Sequence, residues 1–316
     1  MRDPVRFRYR PDGRADDWEI AGWLSVPPGA GDTLLILVHG GFYTHAYWDF
    51  PYRPETYSCV LWAWERGLAT LNIDRPGNGE STHPPGLDLD MPRNAEALHE
   101  VIWAVRADGV GGRQFSNIVT VGHSLGSFTA ALAQADHGGA DGVVLTGSIG
   151  LNMRRIADTP EAREAFARRY VLAADDPQLA DRAHLYDAAY RTVPAGRRAL
   201  AFYDVPPADP DLIAIDERLK GVMTAAESRS MGYAADACAR IDAPVLVQVG
   251  EHDAMYYDPK RDPDLSRVYA RAIAAAPPNF SFDPPYPDTG HNLALHPNAR
   301  EGYERMLGWM KAQGLA

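Results

Sequence analysis

Short apolar runs closed by glycine or a polar turn recur along this chain, separated by stretches with helical spacing. The clearest is TLLILVHG, residues 33–40. A continuous apolar run of this length, ending in glycine, reads as a strand buried on both faces. VRFRYR (5–10), WEIAGWLSVP (18–27), LATLNID (68–74), GVVLTGS (142–148) and APVLVQVGEHD (243–253) also read as strands, with a short one near NFSFDPPYPDTGH (279–291). Between them lie helical patterns. ETYSCVLWAWERG stops at Gly67. PRNAEALHEVIWAVRADGV puts Leu98, Ile102 and Val105 on one face, with Pro92 or Asn94 as its start. DLSRVYARAIAAA and NAREGYERMLGWMKAQ follow late in the chain. Strands alternating with helices predict an α/β fold: a mostly parallel central sheet flanked by helices, with right-handed crossovers.

The pattern breaks between Leu151 and Arg240. Strand-like runs vanish there, and prolines at 160, 177, 194, 206, 207 and 210 punctuate helix-like stretches. Because buried strands resume afterwards, the segment is predicted to be a helical cap inserted after the sixth strand. The core then comprises residues 1–150 and 241–316, and the cap residues 151–240. Ligands bind at the carboxyl ends of parallel strands, so an insertion leaving from a strand end would lie over that crevice.

Composition narrows the field. The 316 residues are 46% hydrophobic, enough for a sizeable core, and carry a net charge of −11. Nucleic acids need a basic surface to displace counterions, so they are not expected as partners. No run approaches about 18 apolar residues, so no membrane partner is expected, and the first twenty residues lack the apolar centre of a secretion signal. The two cysteines, Cys59 and Cys238, form no disulfide or zinc pattern. A cytoplasmic location follows as an expectation. The expected partner is a small-molecule substrate, with association as a homodimer left open.

The candidate chemistry lies in SNIVTVGHSLGSFTAAL, where strand-formers give way to small helix-formers around Ser124. Gly122-His123-Ser124-Leu125-Gly126 fits G-x-S-x-G, a sharp strand-to-helix turn that lifts a serine hydroxyl above the sheet. Neighbouring backbone comes too close there for side chains at Gly122 and Gly126. The turn also sets the Leu125 N–H at a helix N-terminus, facing a developing oxyanion. A serine needs a base, and the base a buried carboxylate. Asp253 follows a buried strand, and His291 lies in a loop before the last helix. Glu251, His252 and Asp258 are neighbouring alternatives for the acid, and His296 for the base.

LVHGG (37–41), NIDRPGNGES (72–81), VGHSLG, VGEHD and TGHN occur in an order that resembles the α/β-hydrolase superfamily over nearly the whole chain. The resemblance implies Ser124 as nucleophile, Asp253 as acid and His291 as base. It further implies an oxyanion hole from the Leu125 N–H and a second N–H, from Gly41 or from Phe42, which stands where lipase-type sequences have a third glycine. Asp74 and Arg75 are expected to brace their loop, and His39 to bond nearby backbone. No metal motif is present and no cofactor is expected.

Serine at the elbow, where haloalkane and epoxide hydrolases carry aspartate, predicts acyl transfer to Ser124 and then to water. The expected substrate is an ester, thioester or lactone of a small, partly apolar molecule. Tyr43, Tyr47, His123 and Tyr256 are candidate pocket residues, with packing roles as the competing reading. A carbon–carbon bond hydrolase, a natural-product acyltransferase or cyclase, and a cofactor-free peroxidase use similar scaffolds. A non-catalytic ligand receptor would have no use for an activated serine.

Overall fold

The computed structural model describes residues 2–148, 164, 168–203, 208–253, 255 and 265–316. Eight strands form one sheet: β1 (Asp3–Tyr9), β2 (Trp18–Ser25), β3 (Thr33–Val38), β4 (Ala69–Ile73), β5 (Asn117–His123), β6 (Gly142–Thr146), β10 (Val245–Gln248) and β11 (Phe280–Phe282). Their spatial order is β1-β2-β4-β3-β5-β6-β10-β11. β1 and β2 pair antiparallel, as do β2 and β4, and every pair from β4 to β11 is parallel. All residues of β3 are buried, as its unbroken apolar sequence requires. β1, at one rim, is largely exposed, and its Arg6 and Arg8 pair with Glu19 on β2. At the other rim β11 is three residues long.

Two layers of helices cover the sheet. Met91–Asp108 packs against Leu125–Asp136, and Cys59–Glu65 packs against Ala299–Ala312. The Trp62 indole N–H donates to Glu304 at 2.9 Å, tying the second pair together. Local chemistry corrects two boundaries. The long helix starts one residue before Pro92, because the Asp90 carboxylate caps it by accepting from the Arg93 N–H at 3.0 Å. The stretch after Pro54 is two short helices rather than one, because Ser58 is extended and its hydroxyl caps the second by accepting from the Leu61 N–H. Cys59 and Cys238 are both buried, and no disulfide joins them. Among the described residues, no helix is long and apolar enough to cross a membrane.

The segment between β6 and β10 contains helices at Pro210–Arg218, Ala225–Ser230 and Tyr233–Ala237. It also contains a small antiparallel sheet, β7 (Val171–Leu172), β8 (Tyr190–Thr192) and β9 (Met223–Thr224). The expectation that strands vanish here is therefore corrected. Strands of two or three residues are too short to leave a period in the sequence. Most of residues 149–167 lie outside the described residues.

Candidate active site

β5 runs out at His123, and the chain turns into the helix Leu125–Asp136 through Ser124. Ser124 has φ 52° and ψ −115°, a left-handed conformation that costs a non-glycine residue about 1–3 kcal/mol. Hydrogen bonds hold it there. The Ser124 N–H donates to the Thr146 carbonyl at 2.8 Å, and the Ser127 hydroxyl bonds the carbonyls of Gly122 and Thr146 at 2.9 Å each. The flanking glycines allow the approach. A Cβ on Gly122 would meet the Gly126 carbonyl oxygen at 2.4 Å, and one on Gly126 the Val38 carbonyl oxygen at 2.3 Å. Ser124 itself is half-buried.

The acid and the imidazole come from loops beyond β10 and β11. Here, too, backbone meets backbone: a Cβ on Gly250 would lie 2.2 Å from the Thr289 carbonyl oxygen. The His252 N–H donates to the Thr289 carbonyl at 2.9 Å, so the loops are stitched together. His291 Nδ1 lies 3.0 and 2.9 Å from the two oxygens of Asp253, with both side chains almost fully buried. Facing two carboxylate oxygens, Nδ1 carries the proton, which leaves Nε2 as the basic nitrogen. The His291 ring centroid is 4.9 Å from that of His123, the residue before Ser124, and 5.9 Å from Phe202. The structure thus brings the carboxylate and the imidazole to the elbow. Glu251 is exposed and His252 half-buried, whereas Asp258 lies outside the described residues. His296 is occupied with holding the loop: Nδ1 bonds the Asn292 carbonyl at 2.7 Å, and Nε2 accepts from the Gly290 N–H at 3.0 Å. Burial lowers its pKa.

The two candidate second donors, Gly41 and Phe42, differ in what their N–H groups meet. The Phe42 N–H donates to the Val222 carbonyl at 3.1 Å and is not available to a substrate. Among the described residues the Gly41 N–H meets no acceptor, and Leu125, as the first residue of its helix, has no intrahelical acceptor. Behind this turn, His39 Nδ1 bonds the Gly40 carbonyl at 2.8 Å, while Nε2 accepts from the Arg75 N–H at 3.0 Å. Burial, and then the Arg75 charge, push the His39 pKa down to about 3. The Arg75 guanidinium bonds the His39 carbonyl, the Asn94 amide oxygen and the Glu227 carboxylate. Asp74 accepts from the N–H groups of His45 and Glu80 at 2.7 and 2.9 Å.

Tyr43, Tyr47 and His123 are buried. They are 3%, 1% and 0% exposed, and the Tyr47 ring stacks on His123 at 4.2 Å. Burial carries the His123 pKa well below its usual value. The loop after β3 folds inward against the elbow and packs these rings on one another. Tyr256 lies outside the described residues. Sequence reasoning missed Arg198, Asp216 and Asn292, which are buried around this turn. Nothing local in the sequence marks Arg198 and Asp216 as buried, whereas Asn292 could have been singled out as the neighbour of His291. No group of three or more metal-ligating side chains converges among the described residues.

Residues 35–301 match the alpha/beta hydrolase family, and the chain belongs to it. Solved structures agree on the fold. A thermophilic esterase from Thermogutta terrifontis is 19% identical, covering 98% of this chain and 99% of its own, with a TM-score of 0.63. The α/β hydrolase GrgF from a Penicillium species is 17% identical, covers 99% of both chains and has a TM-score of 0.66. An esterase from Exiguobacterium antarcticum is 16% identical over 94% of this chain and 97% of its own, with a TM-score of 0.59. No curated protein matches the chain.

Proposed function

We propose that this protein is a serine hydrolase that cleaves an ester, thioester or lactone bond of a small, partly apolar molecule. The observation that carries the reading is the buried His291–Asp253 pair beside a serine held at positive φ. His291 Nε2 takes the Ser124 proton as the hydroxyl oxygen attacks the carbonyl carbon. The oxyanion forms against the N–H groups of Gly41 and Leu125, each worth about 3 kcal/mol of barrier. His291 then passes its proton to the leaving group, which leaves an acyl-enzyme. Water attacks that intermediate with His291 again as base, while Asp253 holds the Nδ1–H tautomer and stabilises the imidazolium. The partly apolar substrate is supported by Phe42 lying 4.7 Å from Tyr170 and 6.4 Å from Phe202 between ring centroids, and by Met223 packing close to Gly41.

A fluorophosphonate probe together with turnover of p-nitrophenyl acetate tests the proposal. Wild-type protein should be labelled and Ser124→Ala should not, and His291→Ala should slow turnover by several orders of magnitude. Equal labelling of wild type and Ser124→Ala removes the assignment.

A further inference from the structure

The inserted segment reaches into the site through a buried ion pair. Arg198 is fully buried and Asp216 is 1% exposed. Arg198 Nε and Nη2 donate to the two Asp216 oxygens at 2.9 and 3.0 Å. The third guanidinium nitrogen, Nη1, donates to the Phe42 carbonyl at 3.2 Å, and the guanidinium carbon lies 4.3 Å from the Tyr43 ring centroid. Asp216 also accepts from the hydroxyls of Tyr203, at 2.8 Å, and Tyr43, at 3.4 Å. The Tyr43 hydroxyl in turn accepts from the Asn292 amide at 2.6 Å. Two backbone bonds run alongside, from the Phe42 N–H to the Val222 carbonyl and from the Gly221 N–H to the Phe42 carbonyl. On the other side, the Asn292 N–H donates to the Phe202 carbonyl at 3.1 Å.

We propose that the Arg198–Asp216 pair is a positioning device that fixes the Gly40–Tyr43 turn against the His291 loop. The proposal rests on the reading of Ser124 as nucleophile and the Gly41 N–H as oxyanion donor. A buried ion pair is a poor source of stability compared with apolar packing of equal volume, because both ions give up their hydration. What it supplies is direction: a planar guanidinium with fixed donor vectors sets angles that carbon contacts do not. Here those vectors end on the carbonyl of the residue that follows Gly41, and through Tyr43 they continue to the residue that follows His291. The insertion thereby grips the oxyanion turn and the imidazole loop at once. A donor displaced by about 1 Å costs on the order of 100-fold in rate, so loosening this grip should lower kcat more than substrate affinity.

The test uses Asp216→Asn, which keeps the shape and removes the charge, and Arg198→Lys, which keeps the charge and loses the fork. Asp216→Asn should lower kcat and the rate of fluorophosphonate labelling together by about 10- to 100-fold, with KM within about threefold of wild type. Arg198→Lys should fall between it and wild type. Amide hydrogen exchange should accelerate both at 40–43 and at 290–293. Should Asp216→Asn not fold, Tyr43→Phe removes only the hydroxyl bridge; it should slow labelling by about 3- to 10-fold and accelerate exchange at 290–293. Folded variants that keep wild-type kcat, labelling rate and loop exchange, losing only thermal stability, overturn the proposal. Wild-type protein that takes no label overturns the nucleophile reading instead, and exchange at the two loops then decides alone whether the ion pair couples them.

Discussion

Leu34 to Val38 in β3 are wholly buried within the apolar core; Arg198, Asp216, Lys220 and Glu227 in the inserted segment are as deeply buried but are held by charge. Lys220 Nζ donates to Asp176 and Glu217 at 2.7 Å each and to the Val193 carbonyl at 3.2 Å. Glu227 joins the insertion to the core through Arg75. The difference follows from what each region has to do. A sheet needs volume filled, and non-directional burial supplies that. Irregular chain has few strand bonds to orient it, so orientation comes from charged groups whose geometry is fixed.

Four measurements break or sharpen this contrast. The largest effect is expected at Lys220→Met, which strands two carboxylates and should cost about 3–5 kcal/mol in denaturant unfolding. Adding Asp176→Leu should recover much of that loss if the pair serves orientation more than stability; no recovery would place the insertion's stability in the ions themselves. Leu37→Ala in β3 should cost about 2–5 kcal/mol with kcat unchanged well below the melting temperature, as expected for a cavity in a filled core. Next comes acid stability. His39 has a folded pKa of about 3 against an ordinary value of 6.5, so its contribution is present above pH 6.5 and is lost as pH falls toward 3. Unfolding free energy should drop by about 1.4 kcal/mol per pH unit in that window from His39 alone, and His39→Asn should flatten the slope. The smallest effect is expected at Arg305→Ala. Its bond to Glu301 is partly exposed on the last helix, and its loss should change stability by less than about 0.5 kcal/mol.

The same contrast explains what the sequence makes legible. Apolar runs such as TLLILV announce β3 because burial of a regular element imposes a period. The elbow is legible because a strained turn tolerates few residue types, and Gly122, Ser124 and Gly126 are among them. Asp253 is legible as a carboxylate in the loop after the buried strand β10, and His291 as a histidine in the loop between β11 and the last helix. Arg198 and Asp216 are not, because nothing local separates a buried charge from a solvated one; the partner lies eighteen residues away along the chain and is found only in the fold. Tyr43 and Tyr47 pose the converse problem. An aromatic beside a site looks the same in sequence whether it meets substrate or wedges a loop, and the burial of both rings is visible only in the fold.

The rims of the sheet carry one more consequence. β1 presents Arg6 and Arg8 to solvent along its length, and β11 offers only three residues at the opposite end. A foreign strand seeking to extend the ladder would have to strip water from guanidinium groups on one side and would find almost no template on the other. Both rims thus carry features that discourage pairing of a further strand onto the sheet.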